Sequence, residues 1–225
     1  MTTIKDNLAT VELQILQACN KAQRPRNEVS LLAVSKTKPQ ALIEQAYQAG
    51  QREFGESYVQ EAIEKIANMQ ALSDITWHFI GPIQSNKTRQ IAENFSWVQS
   101  VDRIKIAKRL NDHRSIQDTP LNVCLQVNIS NEASKSGISL QELPELAAYI
   151  NNCEHLCLRG LMAIPQKNAQ LETFEQIAGL FRELKQEYPQ MDTLSMGMSG
   201  DLEPAIAAGS TMIRVGSAIF GAREK

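Results

Sequence analysis

No stretch of this 225-residue chain is long and uncharged enough to cross a bilayer, and no basic-then-apolar leader opens it. Membrane-spanning and secreted forms are therefore not expected, and the expected location is the cytoplasm. Neither sign of charge dominates: 23 Lys and Arg face 25 Asp and Glu, a net charge of −2. Without a global positive field, nucleic acid is not an expected partner. Cysteine is sparse, at four residues. Cys153-Glu154-His155-Leu156-Cys157 lacks zinc-ligand spacing, and Cys19 and Cys124 stand alone, so ordinary free thiols are expected and no metal site. His78, His113 and His155 show no ligand spacing either. His78 reads as a hydrogen-bonded barrel histidine, and Asn86, Lys87 and Arg89 as solvated first-turn residues. There is also no Pro/Gly/Ser linker, low-complexity tract or charge block. One domain over residues 1–225 follows, a length that α/β barrels reach as single units.

What the chain does have is 43% apolar residues, arranged as alternating strand-like and helix-like segments. After an amphipathic opening helix through about Cys19, β-rich stretches recur near Ser30–Lys36, Glu53–Gly55, Thr76–Gly81, Trp97–Val101, Val123–Ile129, Leu158–Ile164, Thr193–Met198 and Met212–Phe220. Helical patterns separate them: Gln40–Ala49, Tyr58–Met69, Lys87–Asn94, Ile104–Asn111, Leu140–Ile150, Leu171–Tyr188 and a short one after Asp201. Eight strands with interleaved helices predict a parallel (β/α)8 TIM barrel preceded by an N-terminal helix. The competing open, doubly wound sheet commonly carries G-x-G-x-x-G after its first strand, and none stands here.

In such a barrel, chemistry sits where strands run into the following loops, with phosphate at the loops after strands seven and eight. Ser35-Lys36-Thr37-Lys38-Pro39 puts an amine at the end of strand one. Lysine loses its proton readily when desolvated, and the neutral amine forms a Schiff base with an aldehyde. Strand seven runs into Met198-Ser199-Gly200-Asp201, where a hydroxyl and an unhindered glycine N–H open a helix suited to an anion. Strand eight gives Arg214-Val215-Gly216-Ser217, again a glycine beside a hydroxyl. The first and last strands of a closed barrel are neighbours, so the three segments describe one ligand carrying an aldehyde and a phosphate. Pyridoxal 5′-phosphate fits: its aldehyde on Lys36, its phosphate on Ser199, Gly200, Gly216 and Ser217, and Arg214 within reach of the ring nitrogen. For Arg214 a salt bridge to a barrel carboxylate is the plainer alternative.

Ala33-Val34-Ser35-Lys36, Phe54-Gly55-Glu56-Ser57-Tyr58-Val59-Gln60-Glu61, His78-Phe79-Ile80-Gly81, Gln84-Ser85-Asn86-Lys87, Val127-Asn128-Ile129, Gly160-Leu161-Met162, Ser195–Asp201 and Arg214-Val215-Gly216 together resemble the pyridoxal phosphate homeostasis proteins, single-domain relatives of the amino-terminal barrel of alanine racemase. The resemblance covers nearly the whole chain. It implies that Lys36 is the cofactor lysine, that the Ser199-Gly200 and Gly216-Ser217 loops bind phosphate, that Arg214 faces the pyridine nitrogen, and that Met162 lines the ring's pocket. The family usually has asparagine where this chain has Ser57; a serine contact there is shorter and needs a bridging water.

Racemisation is the main enzymatic alternative, and it needs a second base opposite Lys36. Racemases take that base from a tyrosine on a partner's extra β-domain, whereas this sequence ends at Lys225, directly after strand eight. Tyr47, Tyr58, Tyr149 and Tyr188 fall in helical patterns, with Tyr58 opening its helix at the active rim. An Arg214 guanidinium disfavours a protonated pyridine, which makes the ring a weaker electron sink. The expectation is a cofactor carrier acting in vitamin B6 and amino/keto acid homeostasis, monomeric, with transient pyridoxal phosphate enzymes as clients. A small racemase or lyase is the alternative, and a sugar aldolase using Lys36 a weaker third.

Overall fold

The computed structural model describes residues 3–114, 119–129, 136–166 and 168–222. Eight strands form the centre: β1 (Ser30–Val34), β2 (Glu53–Glu56), β3 (Thr76–Phe79), β4 (Trp97–Val101), β5 (Leu121–Val127), β6 (Leu156–Ala163), β7 (Thr193–Ser195) and β8 (Met212–Val215). Each pairs in parallel with its sequence neighbour, and β8 returns to β1 with Leu32 opposite Arg214 and Ala33 opposite Val215. The result is a closed eight-stranded barrel, which leaves no sheet edge unpaired. Parallel strands need crossovers, and here the crossovers are α2 (Gln40–Gln48), α3 (Val59–Asn68), α4 (Thr88–Asn94), α5 (Ile104–Arg114), α6 (Leu143–Asn151), α7 (Leu171–Glu187) and α8 (Leu202–Ala208). The expected (β/α)8 barrel with a leading helix is what the chain forms.

That leading helix is α1 (Ile4–Lys21). Thr3 and Asp6 cap each other's backbone N–H groups in a capping box, which satisfies donors that the first turn leaves unpaired. Ile4, Leu8, Val11, Ile15 and Ala18 recur at intervals of three and four and are all buried, so one stripe faces the barrel's helical layer. Full burial of one such branched side chain stabilises by about 1.5–3 kcal/mol. Asn7 Nδ2 donates to Ile219 O at 2.8 Å and ties α1 to the last helix of the barrel, α9 (Ser217–Phe220).

Of the expected strands only β4 has the expected ends; β1, β2, β3, β5 and β6 begin or end within two residues of the expectation, and the larger differences fall at β7 and β8. The stretch Met212–Phe220 is not one strand: β8 stops at Val215 and α9 begins at Ser217. Gly216 is the break: a Cβ there would meet Val34 O at 3.2 Å, so a side chain would crowd the β1 backbone where the chain turns. Likewise β7 ends at Ser195 rather than Met198. Gly197 lies at φ +95° with its missing Cβ 2.6 Å from Ala205 Cβ, which forces the chain out of the sheet toward α8. Both breaks set the loops of the candidate site. Among the described residues no helix is long and apolar enough to cross a membrane, and no three His, Cys, Asp or Glu side chains converge as metal ligands.

Candidate functional site at the carboxyl rim of the barrel

A cavity of about 400 Å³ opens where β1, β6, β7 and β8 end, and Lys36, Met162, Ser199, Gly200, Arg214, Gly216 and Ser217 all line it. Seven of the eight residues expected from sequence thus share one space of small-ligand size. The eighth, Ser57, lines an adjoining cavity of about 570 Å³ that shares Lys36, Ile80 and Ile164 with the first. A larger hollow of about 810 Å³ lies far from the strand ends, among Ile4 of α1, Glu44 of α2 and Met69 after α3. Its wall holds Thr3 and Lys5 but no arginine and no glycine loop, so the rim, where an amine, a buried arginine and two glycine loops meet, is the better candidate despite its smaller size.

Lys36 sits in a turn held on both sides. Before it, Ser35 N donates to Gly55 O at 3.0 Å and Ser35 Oγ to Glu56 Oε1 at 2.6 Å. After it, Thr37 N donates to Glu61 Oε1 at 2.7 Å. The Lys65 ammonium joins the two sides, donating to Ser35 O at 2.9 Å, to Glu56 Oε1 at 2.8 Å and to Glu61 Oε1. Thr37 lies at φ +62°, a strained conformation for a β-branched residue, which persists because its surroundings over-determine it. Burial raises the Glu56 pKa while Lys65 and Ser35 oppose that shift. Sequence reading gave no role to Glu56, Glu61 or Lys65, although Glu61 and Lys65 stand four apart on one helix face, the spacing of an ion pair. Lys38, on the cavity wall, donates through Nζ to Ala222 O at 2.6 Å and draws the chain's end toward the rim.

The two glycine loops differ in kind. Gly216 is favoured by its close approach to Val34, as above. Gly200 has nothing within 4 Å of its missing Cβ and no positive φ, so neither packing nor backbone geometry calls for glycine there. A Cβ there would stand in open space, and the residue lines the cavity. Ser199 was expected to open the following helix; instead Asp201 stands at the N-cap, its carboxylate accepting from Met198 N. With α8 seven residues long and α9 four, helix dipoles add little. An anion here would rest on the Ser199 and Ser217 hydroxyls and the N–H groups of the bare loops.

Arg214 is 4% exposed and donates through Nη1 to Ser195 O and Ser195 Oγ, both at 2.7 Å, and through Nη2 to Ala163 O at 2.8 Å. These bonds use three of five guanidinium N–H groups, and the partners among the described residues are main-chain and hydroxyl oxygens, none of them a carboxylate. The salt-bridge alternative is thereby set aside. Burial pulls its pKa down to about 10, with Asp201 acting the other way, so the cation persists at neutral pH. Val34, Ile80 and the fully buried Met162 supply apolar wall. An amine, an aromatic-sized apolar slot, a cation and two hydroxyl-bearing loops fit the chemistry of pyridoxal phosphate. Ser57 Oγ is buried without a hydrogen-bond partner, and Ser57 O presses on Gly81, whose Cβ would come within 2.3 Å of it.

The alanine racemase N-terminal domain family matches residues 7–224. A pyridoxal phosphate homeostasis protein of Pasteurella multocida (strain Pm70) is 56% identical, the match covering 99% of this chain and 98% of that protein. Its namesake in Escherichia coli (strain K12) is 54% identical over 100% of this chain and 98% of its own length. Among solved structures, PipY of Synechococcus elongatus PCC7942 with PLP bound is 38% identical, with a TM-score of 0.82 over 97% of this chain and 100% of that one. Alanine racemase from Corynebacterium glutamicum shares the fold at 14% identity, with a TM-score of 0.67 over 97% of this chain and 62% of its own. Near-full coverage at more than half identity settles the kinship: the chain belongs to the pyridoxal phosphate homeostasis proteins, within the alanine racemase N-terminal domain family.

Proposed function

We propose that this chain holds pyridoxal 5′-phosphate covalently through Lys36, as a Schiff base, and acts as a carrier in vitamin B6 homeostasis rather than as an efficient catalyst. One observation carries the reading: a lysine, two hydroxyl-bearing glycine loops and a buried arginine line the same cavity. When bound, the group supplies an aldehyde for the Lys36 amine and a dianionic phosphate for the loops. Lys36 is the attachment point, and the Glu56–Lys65–Glu61 clamp fixes the turn that presents it. Ser199, Gly200, Gly216 and Ser217 hold the phosphate. Arg214 meets the ring nitrogen with an N–H its other bonds leave over, Met162 walls the ring, and Ser57 borders the lysine's far side. A reactive aldehyde stored this way is kept from adventitious amines. The relatives named for homeostasis and the PLP-bound PipY support the same assignment.

The carrier reading over a racemase rests on the second base. Tyr47 is bonded to Asp74 on the outer surface, Tyr149 packs in the helical layer and Tyr188 bonds Glu187. Only Tyr58, half exposed, borders the cavity beside Lys36. We place the protein in the cytoplasm as a monomer, handing cofactor transiently to client enzymes.

The deciding experiment treats loaded protein with borohydride and maps the modified residue by mass spectrometry. The expected result is one reduced adduct on Lys36, lost in Lys36→Ala with the fold intact. An adduct that persists in Lys36→Ala rejects the attachment point. Efficient inversion of single amino-acid enantiomers rejects the carrier in favour of a racemase, and amino-acid cleavage in favour of a lyase.

A further inference from the structure

The barrel lumen holds a row of polar side chains that reaches Arg214 from behind. Ser195 of β7 donates through Oγ to Gln99 Oε1 of β4 at 2.6 Å, and Gln99 Nε2 lies 3.0 Å from His78 Nδ1 of β3. Because β4 neighbours neither β7 nor β8, the Ser195–Gln99 bond crosses the barrel's interior. His78, Gln99 and Ser195 are all 0% exposed.

The direction of every hydrogen in this row follows from one end. A guanidinium only donates, so Ser195 Oγ must accept from Arg214 Nη1 and send its own hydrogen onward. Gln99 Oε1 takes that hydrogen, which turns the Gln99 NH₂ toward His78 Nδ1 and, at 3.1 Å, the Met212 sulfur. His78 Nδ1 is then a lone pair and the ring proton sits on Nε2. Burial of His78, stacked on Trp97, drives its pKa down to about 3, which keeps that lone pair in place. The row is hydrogen-bonded without a break from Arg214 to His78 Nδ1, while His78 Nε2 at its far end is buried without a hydrogen-bond partner, 3.9 Å from Glu53 Oε2. Linked buried side chains of this kind hold one fixed geometry.

We propose that Gln99 and His78, acting through Ser195, are positioning residues that fix the Arg214 guanidinium in its plane and decide which of its N–H groups face the cavity. Part of the consequence rests on the reading of Arg214 as the ring-nitrogen partner. The hold on the guanidinium itself does not, and it is measured without cofactor.

The test uses ¹⁵N-labelled unloaded protein, with the Arg214 guanidinium signal identified by its loss in Arg214→Lys. In the parent, rotation about the Cζ–Nη bonds is slow. In Ser195→Ala it speeds up about tenfold, the loss of one hydrogen bond to a charged group, and Ser195→Thr restores it; in Gln99→Met it speeds up by less, because the Ser195 hydroxyl keeps its bond to Arg214 and loses only the neutral partner that orients it. In loaded protein the same two variants shift the absorbance band of the adduct while the borohydride-fixed mass stays on Lys36. Unchanged rotation in both variants, with a normal coloured adduct, overturns this inference and leaves the cofactor reading standing. Faster rotation in the variants, with a parent protein that takes up no pyridoxal phosphate, supports the inference and rejects the cofactor reading. Ser195→Ala removes one atom, so the test stands even where Gln99→Met fails to fold.

Discussion

Lys65 Nζ donates to the main-chain oxygen of Ser35 at 2.9 Å, so an ammonium on α3 grips the residue directly before Lys36. The same nitrogen neutralises Glu56, which is fully buried, and Glu61, which holds Thr37 directly after Lys36. Removing the cation strands a buried carboxylate, a loss of about 3–5 kcal/mol by analogy with other broken buried pairs. Lys65→Met should therefore lower Tm markedly and loosen the Lys36 turn, reducing the yield of borohydride-fixed adduct. Adding Glu56→Gln to Lys65→Met should recover part of the stability, since the charge then left without its cation is that of Glu61, which is partly exposed to solvent, and no longer the fully buried Glu56. A Lys65→Met protein with parental Tm and loading would show that the clamp holds nothing.

Gly200 offers a cleaner separation of folding from binding. A Cβ there meets no atom within 4 Å, so Gly200→Ala should leave Tm unchanged or raise it slightly through the unfolded chain's lost freedom. Gly200 lines the cavity where the phosphate is proposed to lie, and a methyl group there is expected to crowd it. Equilibrium uptake of pyridoxal phosphate should weaken by about tenfold or more, the loss of one charge-assisted contact. Parental affinity in Gly200→Ala would move the phosphate away from this loop. At Gly216 the same substitution cannot be read so simply, because a Cβ there also pushes on Val34 O at 3.2 Å.

Ser57 carries a buried hydroxyl without a partner in the folded chain. Deleting an unsatisfied hydroxyl removes its desolvation penalty, about 1–3 kcal/mol where burial is complete. Ser57→Ala should be as stable as the parent or more so without cofactor. With cofactor it should lose part of the stabilisation that loading confers, if the hydroxyl bonds the ligand directly or through water. Equal gains in Tm on loading for both proteins would exclude Ser57 from the site. Ser57→Asn, the residue usual in the family, should exceed the parent in that gain.

Much of this site was legible beforehand because it depends on position along strands. Lys36, Arg214 and the Ser199 and Ser217 loops could be placed together once the first and eighth strands were taken as neighbours, which the β1–β8 pairing bears out. The clamp was not legible, since Glu56 and Lys65 meet only through the packing of α3 on the barrel end, and neither spacing nor composition reports that contact. The lumen row escaped for a related reason. His78 and Gln99 lie on consecutive strands but Ser195 joins them from β7 across the barrel, and each reads singly as an ordinary buried polar residue. The overlong reading of strand eight failed at Gly216, where the apolar pattern continues into α9 while the backbone turns.

Glu53, at the foot of β2, gives a prediction about pH. Burial alone raises its pKa above the ordinary 4.5, its Oε2 has no hydrogen-bond partner, and His78 Nε2 stands 3.9 Å away. With His78 neutral above about pH 3, no cation offsets the Glu53 charge from that side. A carboxyl whose folded pKa exceeds its unfolded value holds its proton longer when folded. Its contribution to stability is thus full below pH 4.5 and is lost as the pH rises through the folded pKa. Glu53→Gln stays neutral throughout, so the difference in Tm between variant and parent should be positive at pH 7 and shrink toward zero below pH 4.5. Because the side chain is 36% exposed, solvent moderates the effect, and the gain at pH 7 should be modest. Thermal melts of both proteins across this range decide the matter. A difference independent of pH, or one that grows on acidification, would mean that Glu53 is ionised in the fold without penalty.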